Sequence, residues 1–211
     1  MIKKNRVIKE TEKIFKEKLN KKQLNNLMDY TYKRFYELKE ENKKDNKYIK
    51  EHTETQIYPA IAMYEGLIKE GFSKKEAYDF LDRCYRTRAK KPAKLIRNIL
   101  KIPKLYLLIP NIFKKAVSKK FGKKAGFEAK FYETSSKRAK FDMLKCPYYE
   151  ICKKYGYPEI TTLFCHTDDE AYGNMHKNLI WNRTKTIGEG NDICDFDIII
   201  KNKNKNENEN E

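Results

Sequence analysis

The sequence TTLFCHTDDEAYGNMHKNLIWNRTKTIGEGNDICDFDIII, residues 161–200, is the stretch from which the fold and the chemistry of this chain are best inferred. It contains two of the three histidines, two of the five cysteines and the single tryptophan. Apolar runs and glycine-containing turns flank these ionisable and nucleophilic side chains. We therefore expect this stretch to supply most of the lining of any ligand pocket.

The bulk composition indicates a protein with a polar shell and one main domain. A chain of 211 residues is long enough to bury a hydrophobic core. No apolar run approaches the ~20 residues that a membrane-spanning helix needs. The first ten residues, MIKKNRVIKE, lack the apolar core of a secretion signal, which predicts a cytoplasmic location. In that compartment the five cysteines are expected to be reduced thiols.

One stretch makes the protein basic. The formal net charge is +17, and residues 83–124 contain 15 basic residues and no acidic residue. Apolar side chains alternate with the lysines there, so the stretch is either a helical flap with a solvated lysine face or a segment that lies on an anionic membrane surface. Nucleic-acid binding is disfavoured, because no recognised reader motif accompanies the charge.

The first half of the chain has the periodicity of amphipathic helices. Apolar side chains recur at three- and four-residue spacing through residues 1–50 and again through residues 57–68. The sequence SKKE at residues 73–76 is a capping box, which predicts the start of a third helix with Cys84 on its apolar face. The three prolines within residues 83–124 predict short helical pieces in that stretch.

The second half changes to the two-residue period of β-strands. Residues 127–132 and 139–143 alternate apolar and polar side chains, which predicts an antiparallel hairpin. Residues 179–186 and 192–200 are predicted as two further strands around the turn GEGN at residues 188–191.

Two short helices are predicted between these strands. One begins at Cys146-Pro147 and ends before Gly156, and the other is predicted over residues 168–175 from the capping box TDDE. The fold class is therefore α+β, with N-terminal helices packed on a C-terminal antiparallel sheet. The predicted organisation is a helical extension (residues 1–50), an α+β domain (residues 51–200) and a disordered low-complexity tail (residues 201–211).

Cys165 and its neighbours form the most reactive group of residues in the sequence. A thiolate attacks electrophilic carbon when an imidazole or a helix N-terminus lowers its pKa. His166 is adjacent, and the helix predicted from Asp168 would place its positive end near the thiol. Adjacent residues on an extended backbone point to opposite faces, however, and the alternative is a packed core thiol flanked by acids that suit any first helical turn.

The same residues include possible metal ligands. Neither C-x-x-C nor H-x-x-x-H occurs in the sequence. Ligands distant in sequence can converge, and Cys146, Cys165, His166 and Cys194 would be the candidates. No cofactor is predicted, and metal binding is left open.

In the last predicted strands, alternation assigns successive side chains to opposite faces of the sheet. Cys194, Phe196 and Ile198 share one face and are expected in the core, which leaves Asp195 on the other face as the candidate for a polar role. The guanidinium of Arg183 suits bidentate binding of a substrate carboxylate. The alternative for Arg183 is an exposed charge at the edge of the sheet.

Three segments of the sequence resemble the L-2-amino-thiazoline-4-carboxylic acid hydrolase family. They are PAIAMYEGLIKEGFSKKEA (residues 59–77), CPYYEICKKYGYPEITTLFCHTDDEAY (residues 146–172) and NLIWNRTKTIGEGNDICDFDI (residues 178–198). The end of the third segment also has a looser similarity to the last strands of small-molecule-binding domains of the 4-vinyl reductase type. Both likenesses imply an antiparallel sheet covered by helices.

The resemblance implies a hydrolase that opens the ring of 2-amino-thiazoline-4-carboxylate, or of a similar small cyclic amidine-like acid, by acting on a carbon–nitrogen bond. Residue chemistry then suggests Cys165, Asp168 and His166 as catalytic residues, with Asp168 or His166 for proton transfer and Arg183 for the substrate carboxylate, although the family pattern does not require a histidine at 166. Cys165 would be the nucleophile or a contact to ligand or metal. The positions that match the family motifs are Cys146, Cys165, Asp168, Arg183, Thr184, Asp192, Cys194 and Asp195.

A second function of another class remains open at this point. The same fold could serve as a non-catalytic small-molecule-binding module, held at a membrane surface through residues 83–124.

Overall fold

The computed structural model describes residues 5–132 and 135–201. The helices in chain order are α1 (Arg6–Phe15), α2 (Lys21–Glu41), α3 (Lys47–His52), α4 (Tyr58–Lys69), α5 (Lys74–Ile99), α6 (Ile109–Lys120), α7 (Pro147–Lys154) and α8 (Thr161–Tyr172). The strands are β1 (Glu128–Phe131), β2 (Arg138–Lys145), β3 (Leu179–Asn182) and β4 (Cys194–Ile200). The predicted α+β class is confirmed.

Asparagine caps begin the first three helices. Asn5, Asn20 and Asn46 each accept hydrogen bonds from backbone N–H groups of the first turn that follows, which satisfies donors that have no partner inside the helix. The predicted apolar stripe of α2 is buried, and α2 packs on α4. A π-helical turn, Thr53–Ile57, joins α3 to α4 without a break.

Helix α5 starts where the sequence predicts but continues further. Ser73 and Glu76 form the predicted capping box, and Cys84 is buried as expected. The prediction of short helical pieces after residue 83 is wrong for the first part of that stretch, because α5 runs through Pro92 to Ile99. Pro92 costs one backbone hydrogen bond, but the helix keeps its packing face because Ala89 and Ala93 remain buried on either side.

The four strands form one antiparallel sheet in the order β1-β2-β4-β3. The predicted β1–β2 hairpin is confirmed, although residues 133–134 of its turn lie outside the described residues. Strand β3 ends at Asn182 and β4 begins at Cys194, so both are shorter than predicted. The predicted alternation in β4 is confirmed: Cys194 and Ile198 are buried with Phe196 on the inner face of the sheet.

Two hydrophobic clusters hold the molecule together. The first lies among the helices and includes the buried rings of Tyr58, Tyr64 and Tyr85. The second joins the inner face of the sheet to α6 and the end of α5. Tyr148, at the start of α7, packs against both clusters, so the space beside it is where the helical layer meets the sheet.

Two further sequence predictions concern the C-terminal tail and membrane-spanning helices. The predicted tail falls outside the described residues apart from Lys201. Across residues 5–132 and 135–201, no helix combines the length and the apolar character that crossing a bilayer requires.

Candidate functional site

Helix α8 begins earlier than the sequence suggested. It starts at Thr161, directly after a 3-10 turn at Pro158–Ile160, and ends at Tyr172. The prediction of a helix start at Asp168 is therefore wrong, because Thr167 is an interior residue whose hydroxyl donates to the carbonyl of Leu163 at 2.7 Å. Cys165 consequently lies within the helix, so the expected stabilisation of a thiolate by a helix N-terminus does not apply.

The starting point of α8 determines which of its side chains point inward. Cys165 and Asp168 are three residues apart and lie on one face, which is directed at Gly188 and Arg183 in the segment between β3 and β4. His166 lies on another face and turns to α5, where its Nδ1 is 2.6 Å from Oδ1 of Asp82. Asp82 also pairs with Arg86 at 2.8 Å. The structure thus separates His166 from Cys165 and Asp168.

Arg183 approaches the same face of α8 from the sheet. Its side chain is 3% exposed, and its Nη2 lies 2.7 Å from Oδ2 of Asp169 and donates to the carbonyl of Cys165 at 2.9 Å. The second nitrogen, Nη1, is 3.6 Å from Oδ2 of Asp168. The guanidinium also lies over the ring of Phe196, 5.3 Å from its centre. Arg183 is therefore a buried group that ties the sheet to α8, and the alternative of an exposed edge charge is wrong.

Asp168 combines two properties that rarely occur together. The protein around it displaces water, and this burial raises its pKa to about 7, although the positive charge of Arg183 acts in the opposite direction. At the same time 46% of the side-chain surface remains accessible. We interpret a carboxyl group with both properties as one that lines a recess in the protein.

Other reactive groups surround this carboxyl. Burial is the main cause of the raised pKa values of five nearby side chains, and the negative charge of Asp168 adds to each of them, which places them within its electrostatic range: Cys146, Tyr148, Cys165, Tyr172 and Cys194. We call the space that Asp168 faces, together with these groups and Arg183, the α8 recess. Five of the predicted site residues meet here: Cys146, Cys165, Asp168, Arg183 and Cys194.

The thiols of the recess are neutral at physiological pH. All five cysteines of the protein are free, as expected. Burial raises the pKa of Cys165 to about 12, with Arg183 opposing the change, and burial raises that of Cys146 to about 12 as well. The thiol of Cys194 accepts a hydrogen bond from the backbone N–H of Ile187 at 3.2 Å. Each thiol therefore enters any reaction in its protonated form.

A close approach of the chain fixes one wall of the recess. The turn before β4 passes α8 so closely that a Cβ atom at Gly188 would lie 3.2 Å from the Sγ of Cys165 and 3.1 Å from Cγ2 of Thr161. Such a distance is tighter than ordinary van der Waals contact. A side chain at 188 would therefore require Cys165 and Thr161 to move by a few tenths of an ångström.

Sequence comparison identifies the family to which this arrangement belongs. A profile of the L-2-amino-thiazoline-4-carboxylic acid hydrolases matches residues 50–198, more than two thirds of the chain. The chain belongs to the L-2-amino-thiazoline-4-carboxylic acid hydrolase family. The matched range includes every residue of the α8 recess, and the resemblance inferred from the sequence is confirmed. No curated protein and no solved structure matches the chain.

Three of the residues singled out by the family motifs lie away from the recess. Asp195 accepts hydrogen bonds from the backbone N–H of Thr184 at 2.8 Å and from the Thr184 hydroxyl at 2.6 Å. Burial raises the pKa of Asp195, but these bonds outweigh it and the net pKa is lowered. This pair ties the segment after β3 to β4. Asp192 is exposed in the bend before β4.

Sequence reasoning missed two tyrosines that lie within the electrostatic range of Asp168. Tyr148 and Tyr172 both have pKa values raised by burial and by the charge of Asp168. The hydroxyl of Tyr148 is also 3.1 Å from Nδ1 of His52, whose Nε2 lies 3.0 Å from the carbonyl of Lys120. Burial lowers the pKa of His52, which indicates a neutral ring that donates to Lys120 and accepts from Tyr148. The position of Tyr148, two residues after the predicted site residue Cys146, could have indicated its place near the site from the sequence.

Among the residues that the structure describes, no three His, Cys, Asp or Glu side chains converge closely enough to hold a metal ion. His166 is directed at α5, so it does not join the thiols of Cys146, Cys165 and Cys194.

The open grooves of the surface lie elsewhere. One, with a volume of about 410 Å³, is lined by residues of α3 and α7 and by several lysines, among them Lys123, Lys124 and Lys154. The groove contains none of the predicted site residues. Strongly shifted pKa values of titratable groups are typical of functional sites, so we take the α8 recess as the candidate site.

Proposed function

We propose that the protein hydrolyses a small cyclic amidine-like acid of the type that gives the family its name, 2-amino-thiazoline-4-carboxylate. The observation that carries this proposal is the carboxyl of Asp168, which is accessible inside the recess and has a pKa of about 7. Such a group is half ionised near neutral pH, so it can take a proton and return it within one reaction cycle.

The reaction requires two proton transfers. The oxygen of water adds to C2 of the ring, and one of its protons passes to the ring nitrogen, so that the carbon–nitrogen double bond becomes single. The carbon–sulfur bond then breaks, the oxygen on C2 forms a carbonyl, and the remaining proton goes to the leaving sulfur. The product is a carbamoyl-cysteine. In this proposal Asp168 takes the proton from the attacking water and delivers it to the ring nitrogen or to sulfur.

Arg183 acts next to this carboxyl. In the free protein its Nη2 is engaged by Asp169 and by the carbonyl of Cys165, while Nη1 is only loosely paired with Asp168 at 3.6 Å. We propose that the carboxylate of the ligand pairs with Nη1, while Asp168 stays ionised and takes the proton of the attacking water.

Two nucleophiles are compatible with this site, and the electrostatics favour one of them. Burial raises the pKa of the Cys165 thiol to about 12, so attack by this sulfur would first require its ionisation in a buried place. Water attacks as its proton passes to Asp168, so no charged nucleophile has to form beforehand, and we propose water as the nucleophile. Attack by Cys165 is the second mechanism, which a single variant tests.

The proposal uses five of the residues predicted from the sequence. Cys146, Cys165 and Cys194 line the recess, Asp168 transfers protons, and Arg183 binds the ligand carboxylate. It leaves out the predicted residues that are engaged elsewhere or lie outside the recess: His166, Thr184, Asp192 and Asp195.

The test is turnover of 2-amino-thiazoline-4-carboxylate by the purified full chain, followed by proton NMR and by titration of the released thiol. We expect Asp168→Asn to lower kcat/KM by about a hundredfold or more. The exposed Asp29→Asn on α2 serves as the matched control and should leave turnover unchanged. Unchanged turnover in Cys165→Ala would remove the thiol mechanism and retain the water mechanism.

The wild-type chain also decides between an enzyme and a binding module. Saturable binding of the ring acid, measured by calorimetry, without any turnover would support the non-catalytic alternative instead. Neither binding nor turnover would contradict the proposed substrate class.

A further inference from the structure

A group of large aliphatic side chains is exposed on one part of the surface. Most of the large apolar side chains that are exposed in the described residues lie in a stretch of 18 residues, and each is between 38% and 60% accessible: Leu95, Ile99, Ile102, Leu107, Leu108 and Ile112. Soluble surfaces carry scattered apolar residues, but a concentration of this kind in one segment indicates a binding surface.

The exposed side chains belong to the end of α5, the turn after it and α6, a segment whose other face is anchored. Leu100, Ile109 and Val117 of the same segment are buried against the sheet-side cluster. Leu95 and Ile99 lie one helical turn apart at the end of α5, and Leu108, directly before α6, lies one turn from Ile112. The segment thus packs on the protein through one set of apolar side chains and exposes a second set to solvent.

The charge around this exposed set of side chains is of one sign. Residues 83–124 contain 15 basic residues and no acidic residue. Exposed lysines stand among the apolar side chains and at the turn between the helices, including Lys91, Lys94, Lys101 and Lys104. A partner that complements this surface must therefore be negatively charged at its boundary and apolar beneath it.

Three kinds of partner can be compared with these features. A nucleic acid offers anionic charge but no apolar layer to receive six aliphatic side chains. The centre of a protein interface is depleted in lysine, and a second copy of this chain would bring like charges together. An anionic bilayer offers phosphate groups at the depth of the lysines and acyl chains below them, as interfacial amphipathic helices require.

We infer that the segment formed by residues 91–119 docks the protein on an anionic membrane surface. The aliphatic side chains enter the boundary between headgroups and acyl chains, and the lysines bind the headgroup charge. The inference rests on this exposed segment alone and is independent of the proposed hydrolase activity.

The test is co-sedimentation of the full chain with lipid vesicles. We expect binding to vesicles of phosphatidylcholine with about 30% phosphatidylserine, little binding to phosphatidylcholine alone, and weakening as salt is raised above about 0.15 M. The double variant Leu108→Gln/Ile112→Gln should lower the partition coefficient at least about tenfold. Lys94→Glu/Lys101→Glu should lower it as well.

Matched controls carry the same changes elsewhere on the surface. Leu144→Gln/Ile180→Gln alters exposed apolar side chains of the sheet, and Lys21→Glu/Lys22→Glu alters exposed lysines of α2. Both controls should bind vesicles like the wild type. Thermal melts check that all variants are folded.

Several outcomes would overturn the inference. Vesicle binding that the apolar variant retains would mean that no side chain enters the bilayer. Absence of vesicle binding, combined with dimerisation in analytical ultracentrifugation that the apolar variant abolishes, would assign the surface to a second copy of the chain. Absence of vesicle binding with tight binding of a DNA duplex would assign it to nucleic acid.

Discussion

Nη1 of Arg183 lies 3.6 Å from Oδ2 of Asp168, while Nη2 of the same guanidinium lies 2.7 Å from the carboxylate of Asp169. One buried cation thus stands between two acids, and the longer distance belongs to the acid that faces the recess. Burial therefore prevails over attraction at Asp168, and its pKa rises to about 7 instead of falling as in an ordinary ion pair.

The pH dependence of turnover should report this carboxyl. If Asp168 accepts a proton from water, kcat/KM for the thiazoline acid should rise with pH and level off above about 7, the pKa of that group. Steady-state kinetics between pH 5 and 9, at about constant ionic strength, measure the profile. Asp168→Asn should be slower and lack this inflection. An inflection near pH 7 that persists in Asp168→Asn would assign it to another group and contradict the role of Asp168.

The same pKa has a consequence for stability. The raised value means that the folded chain binds this proton more tightly than the unfolded chain, in which an aspartate titrates near about 3.9. The stability that the protonated carboxyl contributes is fully present below about pH 4 and is lost as the pH rises through about 7. Asp168→Asn should therefore melt a few °C above the wild type at about pH 8.

This melting difference should diminish toward about pH 4, since the wild-type carboxyl becomes neutral there. Because nearly half of the side chain is accessible, we expect an effect of only ~1 kcal/mol in the free energy of unfolding. Calorimetry at both pH values measures it. A variant that is less stable than the wild type at about pH 8 would contradict the burial of charge at this position.

Removal of the buried guanidinium should destabilise the fold. Arg183→Met removes the cation beside Asp168 and Asp169 and leaves the carbonyl of Cys165 without its donor; because both carboxylates are 46% exposed, we expect the free energy of unfolding to fall by only ~1–3 kcal/mol. Denaturant titration measures the loss. Arg6→Met, which removes an exposed ion pair with Glu10 on α1, is the control and should have no measurable effect. Equal stability of both variants would show that Arg183 does not hold α8 to the sheet.

The close packing of Gly188 against α8 can be tested by adding one methyl group. In Gly188→Ala the new Cβ would meet Cys165 and Thr161 at 3.2 and 3.1 Å, and we expect a loss of ~1–3 kcal/mol in the free energy of unfolding. A double-mutant cycle with Cys165→Ala separates contact from backbone effects, because removal of Sγ should reduce the cost of the methyl group. Strict additivity of the two changes would place Gly188 and Cys165 out of contact.

Local sequence signals predicted most of the elements. The SKKE capping box, the two-residue alternation of β2 and β4 and the proline-led start of α7 are interactions within a few residues, so their effect can be read without knowing the tertiary structure. They failed where two local signals competed. The sequence TDDE at residues 167–170 has the form of a capping box. However, α8 already begins at Thr161, where Ile160 and Leu163 are buried, and Thr167 is therefore an interior residue of the helix.

The sequence by itself therefore determined the fold class, the family and the presence of thiols, acids and an arginine near the C-terminal end of the chain. The tertiary structure decided which of them meet. An earlier start of α8 turns Cys165 and Asp168 to the segment between β3 and β4 and His166 to α5, and β3 carries Arg183 to the same place. The shifted pKa of Asp168 could not be read from the sequence either, because it depends on how much water the surrounding chain excludes from one carboxyl group.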